Sequence, residues 1–280
     1  MKLLRARTAG FCMGVDLALK KLASLIGHTD PILTFGPIIH NPQVLAEYAA
    51  KGVRMVEDPQ AIPQGSTVVI RAHGIPEYVR QAILDRGATI VDATCPKVKK
   101  AQTLIASQAR YGKELLLFGE AEHPEVKGLL SYATAGAHVF GSLTDLESLE
   151  LPEGPTYFLA AQTTQDEQEF MRIREHLRRR FGQRLTVLAT ICNATMNRQQ
   201  EAMELAEKVD FMVVVGGHDS GNTRRLAQVA KTAGTPCIHV ETAAEISPAM
   251  LDGKHTIGLT AGASTPKTII DNVQSVLEAL

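Results

Sequence analysis

Apolar positions along the chain fall into two rhythms. Short runs at 32–36, 67–72, 89–91, 115–118, 157–161, 211–215, 238–240 and 257–259 are apolar at nearly every position, the pattern of strands buried on both faces of a parallel sheet. Between them the apolar spacing lengthens: Val15, Ala18, Leu19, Leu22, Leu25 and Ile26 recur at helical intervals, and Gly27 ends the run. Further helices are predicted up to Ala50, up to Gly87, over 97–111, over 166–181, over 197–208, after Asn222 and after Pro266. Strand and helix alternate almost throughout, which predicts an α/β protein with mostly parallel sheets.

One strand ends unusually. The run Thr89-Ile90-Val91-Asp92-Ala93-Thr94-Cys95-Pro96-Lys97-Val98 sets a cysteine at the junction of a strand and a helix, with proline in the first helical position. Two other stretches are read the same way: Ala9-Gly10-Phe11-Cys12-Met13-Gly14-Val15 and Leu188-Ala189-Thr190-Ile191-Cys192-Asn193-Ala194-Thr195. Cys12 and Cys95 are 83 residues apart and Cys95 and Cys192 are 97, close to a third of the 280-residue chain. The expected organisation is three similar α/β lobes, 1–95, 96–190 and 191–280, with the N-terminal strand assigned to the first lobe or to the third. In parallel α/β sheets ligands bind beyond the carboxyl ends of strands, where helices begin. His40, His73, His123, Glu125, Thr163, Ser220, Asn222 and Ser264 all follow predicted strands, as do the three cysteines. Lobes that face one another would bring these positions to one cavity.

Composition narrows the chemistry. With 29 Lys plus Arg against 30 Asp plus Glu, no overall basic field recruits nucleic acid or an anionic membrane, so neither is an expected partner. The basic opening residues lack the apolar run of an export signal, and no stretch is long enough to span a bilayer, which predicts a cytoplasmic protein. Four cysteines in such a chain are expected as thiols or metal ligands. Their wide spacing rules out a local zinc finger, so only the tertiary fold could assemble a metal site. Cys237, inside a strand-like stretch, reads as a core thiol.

Each polar candidate also has a plainer role. Glu125 behind Pro124 sits in a helix first turn, where an acid is favoured by the helix dipole. Ser264 before Pro266 suits an N-cap, and Arg178-Arg179-Arg180 suits a solvated helix end. The segment from Gly216 to Thr223 matches a phosphate-binding loop except that Asn222 stands where such a loop carries its lysine. That argues against a nucleotide triphosphatase and leaves a cradle suited to a diphosphate. Three thiolates can hold an iron–sulfur cluster that normally takes four, leaving one iron open. Zinc fits the ligand type but supplies no electrons.

Six motifs, Gly10-Phe11-Cys12-Met13-Gly14-Val15, Asp92-Ala93-Thr94-Cys95-Pro96, Glu122-His123-Pro124-Glu125, Gln162-Thr163-Thr164, Thr190-Ile191-Cys192-Asn193-Ala194-Thr195 and Thr260-Ala261-Gly262-Ala263-Ser264, together resemble the 4-hydroxy-3-methylbut-2-enyl diphosphate reductases. The resemblance covers the whole chain. It implies three α/β lobes around a central [4Fe-4S] cluster, with Cys12, Cys95 and Cys192 as ligands and the fourth iron open to the substrate hydroxyl. It further implies reductive removal of an allylic hydroxyl, giving isopentenyl and dimethylallyl diphosphates, with electrons from a donor such as a ferredoxin or flavodoxin. By the same resemblance His40, His73, His123, Ser220, Asn222 and Ser264 surround the diphosphate. Thr163 lies near the substrate hydroxyl, and Glu125, beside His123, relays protons. One place departs from the family pattern: Ser220-Gly221-Asn222 stands where Ser-Ser-Asn is expected, at the cost of one side-chain phosphate contact. The rival reading is a redox-inactive phosphate-ligand binding protein or transferase with structural cysteines; a third is a zinc-stabilised interaction module.

The cluster reading predicts that Cys95→Ser abolishes reduction by damaging the cluster and not the fold. Iron content and circular dichroism measured on the same anaerobic sample check this: iron should fall while the spectrum holds.

Overall fold

A computed structural model of the chain describes residues 1–28 and 31–280. The chain opens with β1 (Lys2–Arg5) and α1 (Met13–Ala23). It continues through β2 (Ile32–Phe35), α2 (Pro42–Ala50), β3 (Arg54–Val56), β4 (Thr67–Ile70), α3 (Glu77–Asp85) and β5 (Thr89–Asp92). After α4 (Pro96–Ala109) come β6 (Glu114–Phe118), α5 (Pro124–Leu130), β7 (Ala137–Phe140), α6 (Leu143–Glu147), β8 (Tyr157–Ala161), α7 (Glu167–Phe181) and β9 (Leu185–Val187). Last are α8 (Asn193–Ala206), β10 (Phe211–Val215), α9 (Gly221–Thr232), β11 (Cys237–Val240), β12 (Thr256–Ala261) and α10 (Lys267–Ala279). No helix among the described residues is long and apolar enough to cross a membrane.

The strands form three four-stranded sheets in which every pairing is parallel, one sheet to each of three α/β lobes. The first sheet runs β3-β2-β4-β5 and the second β7-β6-β8-β9. The third, read from the same edge, runs β11-β10-β12-β1. All three repeat one plan: strand one sits inside, strand two on an edge, strand three beside strand one, and strand four on the far edge. In the third lobe β1, from the other end of the chain, fills the fourth place, with Leu3 opposite Ile257. The contacts gather the chain into two compact units. One comprises Met1–Asp16, Ile39–Tyr48 and Asn193–Leu280 and holds the third sheet; the other comprises Leu17–Ile38 and Ala49–Cys192 and holds the first two.

The continuous apolar runs are explained by burial on both faces. In β6, Leu116 and Phe118 pack with Tyr157, Leu159, Phe170, Ile173 and Leu177 on one side of the sheet. Leu115 and Leu117 pack with Phe158, Val126, Ala101 and Ile105 on the other. In the third sheet, Val213, Val215, Ile257 and Leu259 meet Ile270, Val273 and Leu277 of α10, while Val214 on the opposite face meets Ala202, Leu226 and Ala227 of α8 and α9. Such a sheet leaves no face for polar side chains, so the polar residues collect in the loops beyond its strands.

The structure adds elements that the apolar pattern does not show. β3 and β7 are edge strands with exposed positions such as Arg54, Met55 and Ala137, and they lack the uninterrupted apolar run of the central strands. The segment read as a strand before Cys192 is irregular, because β9 ends at Val187.

Packing is close where the third sheet ends. A Cβ added at Gly262 would lie 2.0 Å from Thr223 Oγ1 and 3.1 Å from Thr223 Cβ. Thr223 is fully buried and β-branched, so it cannot rotate aside. Gly262→Ala should therefore lower the unfolding free energy by about 1–3 kcal/mol. A lower midpoint of chemical denaturation at unchanged slope would show it.

Candidate active site

The repeated plan places the polar residues by rule. The residue after strand one is glycine in every lobe, Gly36, Gly119 and Gly216, and five positions beyond the strand stand His40, His123 and Ser220. The three cysteines each precede the helix that follows strand four: Cys95 before α4, Cys192 before α8 and Cys12 before α1. Each cysteine amide is tied to the loop after strand three of its own lobe. Cys95 N–H donates to the Ala72 carbonyl at 2.9 Å, Cys192 N–H to Thr163 at 2.9 Å and Cys12 N–H to Ala263 at 3.1 Å. The acceptor is always the second residue past the strand. The residue after each acceptor is His73, Thr164 or Ser264, so Thr164 holds the place that the two predicted contacts hold in the other lobes.

The predicted residues come together in two groups, one in each unit. In the unit built on the first two sheets, Glu125 is 1% exposed, in the first turn of α5. The Thr163 amide donates to its Oε1 at 2.6 Å and the Thr163 hydroxyl to its Oε2 at 3.0 Å. Burial raises the Glu125 pKa to about 7, and the two Thr163 hydrogen bonds hold it from rising further. The cause of the rise is desolvation of the carboxyl. A carboxyl poised there can both give and take a proton near neutral pH.

His123 caps α5: the Glu125 amide donates to its Nδ1 at 3.1 Å, which leaves the proton of the neutral ring on Nε2. The His73 ring meets the His123 ring edge-on, with centroids 5.4 Å apart. Cys192 joins this group through the hydrogen bond its backbone N–H donates to the Thr163 carbonyl.

In the other unit, the Ser264 hydroxyl donates to the His40 carbonyl at 3.0 Å. Gly217 lies against the same carbonyl, where an added Cβ would come within 2.9 Å of it, so only glycine lets the loop pass. Ser220 caps α9, and its hydroxyl accepts weakly from the Thr223 amide at 3.4 Å. Asn222 is 7% exposed, and its Nδ2 donor has no hydrogen-bond partner. A buried donor left unmade at a helix N-terminus suits an anion as its acceptor.

None of the four cysteines is in a disulfide. Cys12, Cys95 and Cys192 are half-buried at helix starts, a donor set suited to a soft metal centre. Cys237 differs: it lies in β11, and burial pushes its thiol up to about 11.

These features define an α/β protein of three like lobes, with cysteine-headed helices, a buried carboxyl of raised pKa in one unit and a buried unpaired amide donor at a helix start in the other. A family model described as LytB protein matches residues 3–278. The 4-hydroxy-3-methylbut-2-enyl diphosphate reductase of Solidesulfovibrio magneticus is 75% identical, with both chains covered in full. The reductase of the same name from Pelobacter propionicus is 42% identical, over 98% of this chain and 96% of its own. Among solved structures, the E-1-hydroxy-2-methyl-but-2-enyl-4-diphosphate reductase of Plasmodium falciparum matches with a TM-score of 0.94 at 26% identity, covering 99% of this chain and 87% of that one. A second, titled as (E)-4-hydroxy-3-methyl-but-2-enyl diphosphate reductase, the terminal enzyme of the non-mevalonate pathway, matches at 0.70 and 37% identity with both chains covered in full. The chain belongs to the LytB family, whose members are iron–sulfur reductases. Its activity is the reduction that ends the non-mevalonate pathway.

The raised pKa of Glu125 has a signature in stability. The unfolded chain releases this proton near 4.5 and the folded chain near 7. The stabilisation is full below 4.5 and is lost as pH rises through 7, an amount of about 3 kcal/mol for such a shift. Glu125→Gln should flatten this part of the stability curve, which denaturation at a series of pH values between 4.5 and 8 would reveal.

Proposed function

We propose that Cys12, Cys95 and Cys192 hold a [4Fe-4S] cluster with one iron open to substrate, and that the polar loop residues bind and protonate an allylic diphosphate beside it. Their shared place ahead of a helix, in three lobes of one plan, supports a common ligand. When bound, the cluster supplies single electrons to the substrate. Zinc would fit the same thiolate donors but could not give the electrons that reduction needs. Reaction of 4-hydroxy-3-methylbut-2-enyl diphosphate with two electrons and two protons gives isopentenyl or dimethylallyl diphosphate and one water.

The chain's own residues account for binding and proton handling. The Asn222 donor, the Ser220 and Ser264 hydroxyls and the amides at the start of α9 suit one part of the diphosphate; His40, His73 and His123 suit the rest. Gly221 brings no side chain, so this loop relies on backbone N–H groups where a second serine would have served. Neutral imidazole at His123 would donate through Nε2. Thr163 holds both oxygens of Glu125 and so fixes where its proton lies, and its hydroxyl is suited to pass that proton toward the leaving hydroxyl. The electron donor in this reading is a small redox protein such as a ferredoxin or flavodoxin, and the setting is the cytoplasm.

The observation that carries this reading is Glu125, a fully buried carboxyl with a pKa near neutrality, locked to a hydroxyl. Glu125→Gln should keep its iron and bind substrate but lose turnover by about 100-fold or more, the usual worth of a placed general acid. Anaerobic assay with an artificial electron donor, beside iron and sulfide analysis, measures both. Unaltered turnover would remove Glu125 from the mechanism. A colourless protein that binds the diphosphate after chelation would favour the redox-inactive rival.

A further inference from the structure

Cys12 stands furthest from its strand. It is the seventh residue past β1, whereas Cys95 is the third past β5 and Cys192 the fifth past β9. A longer tether has more conformations to lose, so its last residue is harder to hold in one place. Gly10 bends this tether at φ +114°, a conformation that other residues rarely adopt.

Two side chains on α8, one helical turn apart, take hold of it. Glu201 receives the Arg7 amide on Oε1 and the Thr8 amide on Oε2, both at 2.8 Å. Arg198 donates to the Thr8 carbonyl from Nε at 3.0 Å and from Nη2 at 2.6 Å, and Nη2 also reaches the Gly10 carbonyl at 2.7 Å. The N–H and the C=O of Thr8 are thus both gripped by one helix. Arg198 is 4% exposed, and burying a guanidinium is costly, so a merely solubilising role does not explain it. Burial raises the Glu201 carboxyl, but the hydrogen bonds from Thr8 and Arg7 outweigh it and keep the group ionised and accepting. Beyond the clamp, only Phe11 separates Gly10 from Cys12, whose amide is tied to Ala263.

We propose that Arg198 and Glu201 are positioning residues: together they hold residues 7–10 in one register and so present Cys12 as a ligand. The inference rests on the reading of Cys12 as a cluster ligand. Neither residue touches substrate or reacting atoms in this role; each acts through the loop backbone. Arg198 is matched to the task because its rigid planar fork presents spread donors to two carbonyls at once, where a lysine offers one point charge on a flexible stem.

The test uses the full-length, cluster-loaded protein. Challenged anaerobically with a strong chelator, Arg198→Met should lose iron about tenfold faster than the parent, the scale expected when a charged hydrogen bond is lost from a local opening equilibrium. Iodoacetamide added during the challenge should then label Cys12 ahead of Cys95 and Cys192, and exchange at the Arg7 and Thr8 amides should quicken. Arg198→Lys should recover part of the iron retention. If Arg198→Met fails to fold, Arg198→Lys and the isosteric Glu201→Gln carry the same comparison in milder form. Equal acceleration at all three cysteines, or an unchanged rate at Cys12, overturns the clamp. Cys12→Ser separates the two ideas: full iron retention in that variant overturns the ligand role while leaving any selective loosening of the loop intact.

Discussion

One hydrogen bond, made three times, organises the molecule: a cysteine amide donating to the carbonyl two residues past the end of strand three. The strand fixes where that carbonyl is, because parallel pairing on both sides leaves it no freedom. The carbonyl in turn fixes the residue that begins the next helix. A cysteine in that position is held by its backbone. The arrangement asks little of the surrounding side chains, since the acceptor is a backbone carbonyl whether it belongs to alanine (Ala72, Ala263) or threonine (Thr163).

The same economy governs the acid. Glu125 enters the interior because α5 starts against the loop after β8, and Thr163, whose carbonyl already holds Cys192, turns its amide and hydroxyl to the carboxyl. One residue therefore links a cysteine to the buried carboxyl. Desolvation alone would keep this acid protonated at neutral pH; the two hydrogen bonds pull it back to the range where either form is accessible.

Much of this was legible in the sequence, for reasons that can be named. Central strands were visible as unbroken apolar runs because both faces of each sheet are covered, and the cysteines stood out because each closes such a run or turn. Edge strands β3 and β7 stayed hidden, since a strand paired on one side tolerates Arg54 or Met55 in the open. The three-lobe plan was suggested by spacing, but its residue-level trace, glycine at the strand end and His40, His123 or Ser220 five positions on, becomes apparent only once the strand ends are known. Arg198 and Glu201 were missed altogether: on a helix, polar residues one turn apart read as a solvated face, and nothing local says that a loop from almost 190 positions earlier is bound there. The cause of the Glu125 shift was likewise out of reach, because burial is a property of the fold.

The place of β1 has a consequence for the order in which the molecule can be completed. The first two sheets close among strands that are neighbours in the chain, whereas β1 has no partner until β12 exists, some 250 residues later. Chains are made from the N-terminus, so the first strand waits longest for its sheet. Until β12 and the Ala263 carbonyl are in place, the amide of Cys12 has nothing to donate to. The earliest cysteine of the sequence is thus the last to have its backbone seated.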